Sequence, residues 1–439
     1  IEVVTYPDMK TPQQVVDAGE YIRYLCRSTG KVNTGIGAAR EDVNVSISGG
    51  TRVEIKGVAH IKWFAELTHN EAFRQKALLE IASVLKKRIP DPEAWSPKTV
   101  DLTESLSPPC CETCSGKEMM VVGITLPDFD QILSFFTQPG QAFIDEIEQR
   151  LEVIACLEPP FMASPADRRQ RLSPEDMKKA EDMLGTGPWI VVWGPEEDIE
   201  TAVETVEERC RLAFEGVPNE TRKSLPGGMT VFERVLPGPD RMYPDTDTAP
   251  LPVTDETLKR IREGLPKAVI TRMKQLAEWD IPSHTHPFIL RYNFYPLLEQ
   301  IIEELGYEPT FAGNLIGQTL RFALRKYPRD LSCTCQLYEL FAWVKEKELE
   351  PHILETLIPL RMEYPSLFTE QIVMKAGYQP VEKKEILSRI PPLHKKFTKI
   401  STSRRQGAET DWIMGKLKYL ALGNINPAHL RTLVQEAIS

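Results

Sequence analysis

The sequence lacks most of the features by which a motif alone identifies a protein class. No apolar run approaches the about 20 residues that cross a bilayer, so we expect no contact with a membrane. There is no glycine-rich phosphate loop of the Walker type and no protein-kinase signature, so no common nucleotide-binding fold is indicated. Cysteine is scarce, with 8 in 439 residues, which excludes a disulfide scaffold and favours reduced thiols and a cytoplasmic location.

Negative charge is in excess over the whole chain, but not everywhere. The chain holds 53 Lys and Arg against 63 Asp and Glu, a net charge of −10, which argues against nonspecific nucleic-acid binding by the whole surface. Residues 381–407 are an exception, because eight Lys and Arg stand there against two Glu. This segment is either a solvated helix or loop face, or a place where the protein approaches phosphate groups.

The length and the pattern of the chain predict several domains. At ~150 residues per domain, 439 residues are enough for roughly three. The chain starts at Ile1 without Met and opens directly in a strand-like run, so we expect it to be the later part of a longer polypeptide.

Strands and helices alternate up to about residue 253, and the pattern is helical from Thr254 onward. Capping residues and apolar spacing predict the early helices, at 11–27, 61–86, 128–157, 173–185 and 195–215. Alternating or wholly apolar runs predict strands, at 1–5, 119–126 and 189–193. Residues 88–118 are rich in Pro and Ser and mark a boundary, and residues 217–253 are expected to be irregular or strand.

Residues 40–56, REDVNVSISGGTRVEIK, predict a β-hairpin with its charged side chains on one face. Two alternating runs flank a glycine turn, and a three-residue loop at 48–50 sets the register. The Val and Ile residues then fall together on the opposite face, and a slip of one residue would mix the two faces. The pairs that this register places side by side are Asp42 with Lys56, Asn44 with Glu54, and Ser46 with Arg52.

Two interpretations of this polar face remain open. In the first, it is a solvated surface with cross-strand ion pairs, each contributing ~0.2–1 kcal/mol. In the second, its carboxylates hold Mg²⁺ while the Arg and Lys side chains contact phosphate oxygens. Hard oxygen ligands beside cations are what phosphoryl transfer requires.

The Cys and His clusters do not predict a metal site. A zinc site usually has four ligands in matched pairs, whereas here a C-x-x-C at 111–114 stands far from a C-x-C at 333–335. We therefore expect ordinary reduced thiols. His284 and His286 have no partner motif, so they do not indicate a metal site either.

Four segments carry a family resemblance: IEVVTYPDMKTP at the start, GAAREDVNVSI and GTRVEIK in the hairpin region, and DRMYPDTDTAPLPV at 240–253. In order and spacing they resemble the B/E-subunit family of glutamyl-tRNA amidotransferases, which shows IEIV-x-EPD, SLR-x-DANVS, GT-x-x-E-x-K and YRYFPEPD elements. The tail, which ends TDWIMGKLKYLALGNINPAHLRTLVQEAI, is similar to the family's tRNA-binding tail. The resemblance thus covers essentially the whole chain.

The resemblance implies an α+β fold: a mixed-sheet, kinase-like cradle with an inserted α+β domain, followed by all-α helical and tail domains. The insert, at 117–220, looks like the insertion domain of bacterial aspartyl-tRNA synthetases. In this family such an insert distinguishes the archaeal E-type protein from the bacterial B-type protein. The implied domains are the cradle at 1–116 and 221–253, the insert, a helical domain at 254–335, and a tail at 336–439.

The resemblance also implies a reaction. The family uses ATP and Mg²⁺ to phosphorylate the γ-carboxylate of glutamate attached to tRNA(Gln), and ammonia then displaces phosphate to give glutaminyl-tRNA. An asparaginase-like D subunit supplies the ammonia through an internal channel. The implied assembly is an α2β2 heterotetramer.

Site residues follow by position in the family's motifs. Glu2 would bind one Mg²⁺, and Asp42 and Glu54 would serve a second metal position. Arg40, Arg52 and Lys56 are candidates for phosphate or carboxylate contacts by charge and facing, and Asn44 and Ser46 for orienting groups. The family's further ligands, in a G-x-E-x-H element, are absent from this sequence. The residues that we expect to contact tRNA, as a group, are Lys383, Lys384, Lys395, Lys396, Lys399, Arg404 and Arg405.

Two other functions stay open. The chain could be a noncatalytic tRNA-binding scaffold that kept the cradle, although carboxylates facing tRNA phosphates would be unfavourable without a bridging metal. It could also be a relative of aspartyl-tRNA synthetase, although synthetase class motifs are not evident.

Overall fold

The computed structural model describes residues 2–33, 35, 37–109, 118–157, 161–169, 171–236, 251–328, 334–401 and 405–438. The fold is mixed α+β, as predicted. None of the helices in these ranges combines the length and the apolar content that a membrane span needs. The MYPDTD element at 242–247 and the C-x-x-C pair lie outside the described residues.

The chain divides into two compact units. The first contains Ile1–Glu20 and Asn33–Pro252, and the second contains Tyr21–Val32 and Val253–Ser439.

The helices of residues 1–252 are α1 (Pro12–Ser28), which continues into the second unit, α2 (Phe64–Arg88), α3 (Phe143–Ile154), α4 (Pro174–Leu184) and α5 (Glu196–Glu215). The strands are β1 (Glu41–Val45), β2 (Val53–Val58), β3 (Lys98–Asp101), β4 (Met119–Thr125), β5 (Phe136–Gln138), β6 (Gln141–Ala142), β7 (Met162–Ala163), β8 (Trp189–Pro195), β9 (Glu220–Ser224) and β10 (Thr230–Val235).

These strands form two four-stranded sheets and a short ribbon. The first sheet has the order β1-β2-β9-β10, in which β2 and β9 are parallel and the other neighbours antiparallel. The second sheet has the order β3-β4-β8-β7 and is antiparallel throughout. The ribbon pairs β5 with β6.

One hydrophobic core joins the two sheets through helices. Val53 of the first sheet and Val122 and Ile190 of the second belong to the same buried cluster as Leu78 of α2 and Val206 of α5. The other face of the second sheet packs under α4, where Ala180 and the two tryptophans of β8 are buried. The first sheet is therefore held on one side by packed helices.

Two secondary-structure predictions are wrong. A helix was expected over 128–157, but only α3 is helical there; residues before it form turns and the ribbon, because Asp128 and Gln131 adopt positive φ (66° and 64°), which ends a right-handed helix. Residues 2–5 were expected to form a strand and do not. The predicted caps of two helices are confirmed, since the hydroxyls of Ser173 and Thr254 accept hydrogen bonds from backbone N–H groups at 3.0 and 3.2 Å.

The second unit is helical after residue 253. Its helices are α6 (Asp255–Glu263), α7 (Val269–Glu278), α8 (His286–Arg291), α9 (Tyr295–Glu303), α10 (Pro309–Asn314), α11 (Arg321–Lys326), α12 (Cys335–Glu346), α13 (Leu354–Glu363), α14 (Thr369–Lys375), α15 (Lys383–Ser388), α16 (Ile390–Ile400), α17 (Ala408–Ala421) and α18 (Pro427–Ile438), with a π-helical turn at Leu315–Leu320. One core cluster includes Leu276, Leu298 and Leu357. A separate cluster, with Ile386, Ile413 and Leu430, holds α15–α18 together.

Candidate functional site

The register of the β1–β2 hairpin agrees with the sequence-based prediction over most of its length. Asn44 pairs with Glu54, and the flanking valines and Ile55 pair on either side of them. The register shifts between Glu41 and Val43, so Asp42 and Lys56 are not backbone partners. Their side chains nevertheless meet, with 3.6 Å between Lys56 Nζ and Asp42 Oδ2.

The predicted three-residue loop is wrong, because the strands end at Val45 and begin again at Val53. Groups of the intervening residues bond elsewhere. The Ile47 N–H donates to Gln75 Oε1 of α2 at 3.1 Å, and the Thr51 hydroxyl donates to the Val217 carbonyl at 3.0 Å. Ser46 and Arg52 therefore lie outside the ladder, and both are exposed.

The alternation separates the two faces as predicted. Val43, Val45, Val53 and Ile55 are buried, with exposures of 0–6%. The opposite side, which we call the polar face, carries Asp42, Asn44, Glu54 and Lys56, all partly or fully exposed.

Lys56 connects the two carboxylates of the polar face. Its ammonium group lies 3.1 Å from Glu54 Oε1 and 3.6 Å from Asp42 Oδ2. Asp42 also contacts Arg40 Nη2 at 3.3 Å and accepts the Gly57 N–H at 3.0 Å. Gly57 has a φ of +63°, a conformation that glycine adopts without strain and that helps to place this N–H. The side chains of Asp42, Glu54 and Lys56 keep 18–23% exposure, so a ligand can reach them.

The donor set of the polar face fits Mg²⁺ only in part. Mg²⁺ is commonly bound through one or two carboxylates, together with water and substrate phosphates, and Asp42 and Glu54 supply two on adjacent strands. Within the described ranges, no group of three His, Cys, Asp or Glu side chains is arranged to hold a metal ion. The exposed Glu2 is thus not grouped with Asp42 and Glu54, and the assignment of all three as ligands stays a prediction.

Asn44, Ser46 and Arg52 are exposed and unpaired. None of them makes a side-chain hydrogen bond or ion pair with another residue that the structure describes. They are available to a ligand, and their roles also stay predictions.

The strand beside β2 was not identified as part of the site. β9 runs parallel to β2, with Thr221 next to Glu54 and Lys223 next to Lys56. The segment ETRKS has charges at alternate positions, which could have indicated a two-sided strand. The prediction for 217–253 was only irregular or strand structure.

A buried network of charges lies under this sheet. We call it the buried charge network, and its members, each at most 1% exposed, are Glu71, Arg74, Glu146, Arg150, Arg209, Glu220 and Arg222. Arg74 donates to both oxygens of Glu146 at 2.6 Å and to Glu220 at 2.5 Å. Arg150 and Arg222 donate to Glu220 at 2.6 and 2.7 Å. The network therefore ties α2 and α3 to β9.

The three carboxylates of this network differ in their electrostatics. Burial alone would raise the pKa of Glu146, but the charges of Arg222 and Arg74 outweigh it and hold that pKa well below its usual range. The pKa of Glu220 is lowered in the same way. For Glu71, burial dominates over Arg74 and raises the pKa. Burial also lowers the pKa of Arg209 to about 10.

The basic residues of the tail are exposed on two helices. Lys383 and Lys384 begin α15, and Lys395, Lys396 and Lys399 lie on α16. Two other partners reduce the freedom of this group: Lys383 Nζ lies 2.8 Å from His429 Nε2, and Arg405 contacts Asp411 at 2.5 Å. Arg404 lies outside the described residues.

The other polar clusters show no metal chemistry in the described part of the chain. His286 contacts the Ile281 carbonyl at 2.8 Å. Cys26, Cys156 and Cys210 are free thiols. Cys335 is disulfide-bonded, which goes against the expectation of reduced thiols at this position.

Comparison with known proteins identifies relatives along most of the chain. The family model of the GatB/GatE catalytic domain matches residues 1–259. Similar proteins, each named as the E component of glutamyl-tRNA(Gln) amidotransferase, occur in Pyrococcus furiosus (28% identity, 93% of this chain, 65% of the relative), Sulfurisphaera tokodaii (30%, 88%, 63%) and Methanopyrus kandleri (32%, 75%, 53%). The chain thus spans only 53–65% of the length of these relatives.

Proposed function

The chain belongs to the GatB/GatE catalytic domain family, and we propose that it is the ATP-dependent, tRNA-handling part of a glutamyl-tRNA(Gln) amidotransferase of the GatE type. Its relatives carry the name of that enzyme along most of this chain. Because the chain spans only part of their length, the substrates, partners and reaction of the whole protein belong to this proposal.

The proposed reaction has two steps. A γ-carboxylate oxygen of the glutamate on tRNA(Gln) attacks the γ-phosphorus of ATP, and ADP leaves. Ammonia then attacks the carbonyl carbon of the acyl phosphate, loses a proton and expels phosphate, which leaves glutamine on the tRNA. The first step is needed because a carboxylate oxygen is a poor leaving group and phosphate is a good one.

The contact of Asp42 and Glu54 with one ammonium group is the observation that carries this proposal. Two carboxylates and a lysine within 3.1–3.6 Å, with Arg40 beside them, provide oxygen ligands and cations in one exposed place. Asp42 and Glu54 would hold Mg²⁺, whose chemistry there is to neutralise the charge of the phosphate groups. Lys56, Arg40 and Arg52 would bind phosphate or carboxylate oxygens.

The remaining parts of the proposal concern architecture and partners. The sheet β1-β2-β9-β10 would belong to a kinase-like cradle, and the second sheet with its helices would be the aspartyl-tRNA-synthetase-like insert. The basic face of α15 and α16 would contact tRNA phosphates. An asparaginase-like D subunit would supply ammonia, in an α2β2 assembly.

A noncatalytic tRNA-binding scaffold is the second candidate. It is favoured by one observation: Glu2 is not grouped with Asp42 and Glu54 in the described residues. In that case Lys56 would simply neutralise two surface carboxylates.

The test uses the full-length protein with Glu-tRNA(Gln), ATP, Mg²⁺ and free ammonium, which bypasses the amidase partner. Glutaminyl-tRNA formed by the wild type and lost in both Asp42→Asn and Glu54→Gln supports the enzyme and its site. Glu80→Gln, an exposed carboxylate on α2, is the matched control and should keep activity. Bound tRNA without any product in the wild type favours the scaffold, and full activity in both variants refutes the site.

A further inference from the structure

A second lysine stands beside Lys56 in the first sheet. β2 and β9 are parallel, and Lys56 and Lys223 are partners in the register. Partners on adjacent strands lie about 4.8 Å apart. The Lys223 stem therefore starts next to the ion pairs of the polar face.

The burial pattern places Lys223 on the polar side of the sheet. Side chains alternate along a strand, and Glu220 and Arg222 of β9 point into the buried charge network. Ile55, the register partner of Arg222, is also fully buried. Thr221 and Lys223 must then point to the opposite face, and Lys223 is exposed.

The two lysines differ in their charge partners. Lys56 is shared by Asp42 and Glu54, whereas Lys223 makes no ion pair with any residue that the structure describes. On its other side, its register partner on β10 is Val231, which is apolar. Lys223 thus brings an uncompensated positive charge to the edge of the carboxylate site.

We propose that Lys223 is a further phosphate-binding residue of this site, and that it contacts the phosphate groups of ATP together with Lys56. A polyphosphate carries several negative charges, and the pair of ammonium groups on neighbouring strands matches such a chain better than it matches a single carboxylate. This inference rests on the proposed function.

The test measures equilibrium binding of ATP to the full-length protein in Mg²⁺ by titration calorimetry, with adenosine as a second probe. Lys223→Met should raise the dissociation constant of ATP about tenfold and leave that of adenosine unchanged, whereas Lys223→Arg should restore most of the affinity. Lys98→Met is the matched control, because Lys98 is an exposed strand lysine of the other sheet. It should change neither constant.

The outcomes separate this inference from the proposed function. If the wild type binds ATP and Lys223→Met binds it equally well, the inference is wrong and the proposed function stands. If Lys223→Met weakens ATP and adenosine alike, the contact with phosphate is refuted. If the wild type does not bind ATP at all, both the proposed function and this inference fail. Because Lys223 is exposed, its variants should keep the melting temperature of the wild type.

Discussion

Replacing Glu146 with glutamine removes one of the three carboxylates that face four guanidinium groups in the buried charge network. Glu146 receives two bonds of 2.6 Å from Arg74, and its oxygens also lie 3.4 Å from Arg222 and 3.6 Å from Arg209. Glutamine has the same shape, but it offers one acceptor oxygen and turns an N–H₂ group toward a guanidinium. Glu146→Gln should therefore leave buried positive charge without compensation.

The expected loss follows from what broken buried ion pairs cost. Removal of one partner of such a pair typically costs ~3–5 kcal/mol. At ~2–4 °C per kcal/mol for a unit of this size, the melting temperature should fall by roughly 6–20 °C. Calorimetry or urea unfolding of the full chain measures it.

Glu207→Gln provides the matched control. Glu207 pairs with Arg211 at 2.8 Å on α5, but both side chains are more than a third exposed. An exposed pair contributes at most about 1 kcal/mol, so this variant should unfold close to the wild type. A Glu146→Gln variant as stable as Glu207→Gln would refute the view that the network holds α2 and α3 on β9.

Three further predictions concern the same charges and the tail. Because the pKa of Glu146 is depressed in the folded state, its stabilisation is present above the usual glutamate pKa of about 4.3 and is lost as the pH falls through the folded pKa. Unfolding of the wild type should thus depend more steeply on acid pH than that of Glu146→Gln, and equal slopes would contradict this. Glu71 has a raised pKa, so burial disfavours its charge, and Glu71→Gln should cost less at pH 7 than Glu146→Gln; a larger cost would reverse the order argued here. Replacing Lys395, Lys396 and Lys399 together with glutamine should weaken tRNA binding and flatten its dependence on salt by up to about three units of the log–log slope. An unchanged slope in filter binding would remove α16 from the tRNA surface. The control is the same change at three exposed lysines of α2, Lys76, Lys86 and Lys87.

The hairpin shows how far the sequence predicts this structure. A period of two with all valines and isoleucines in phase allows one register only, and the observed pairing follows it. The length of the loop could not be predicted, because Gln75 and Val217, 28 and 166 residues away from the groups that they bond, hold it in place.

The false helix at 128–142 has a different cause. Phe129, Ile132 and Leu133 have helical spacing and are buried, as in an amphipathic helix. They pack from turns instead, since Asp128 and Gln131 take positive φ. Spacing reports which residues are buried, and it does not report the backbone that buries them.

The buried charge network also escapes sequence analysis. Alternating charges such as those of ETRKS are typical of a solvated strand face. The charged residues of this strand are split between two sides, with Glu220 and Arg222 inside and Lys223 outside. Only the packing of α2 and α3 on β9 distinguishes them, and it brings together residues that are up to 146 positions apart.

The central claim is that the γ-carboxylate of tRNA-bound glutamate becomes an acyl phosphate. Glutamate labelled with ¹⁸O in its γ-carboxylate, attached to tRNA(Gln), tests it most directly when the full-length protein converts it with ATP and ammonium. The attacking carboxylate oxygen stays with phosphorus when ammonia displaces phosphate, so the released inorganic phosphate should carry one ¹⁸O atom. Glutaminyl-tRNA formed together with unlabelled phosphate would contradict the account.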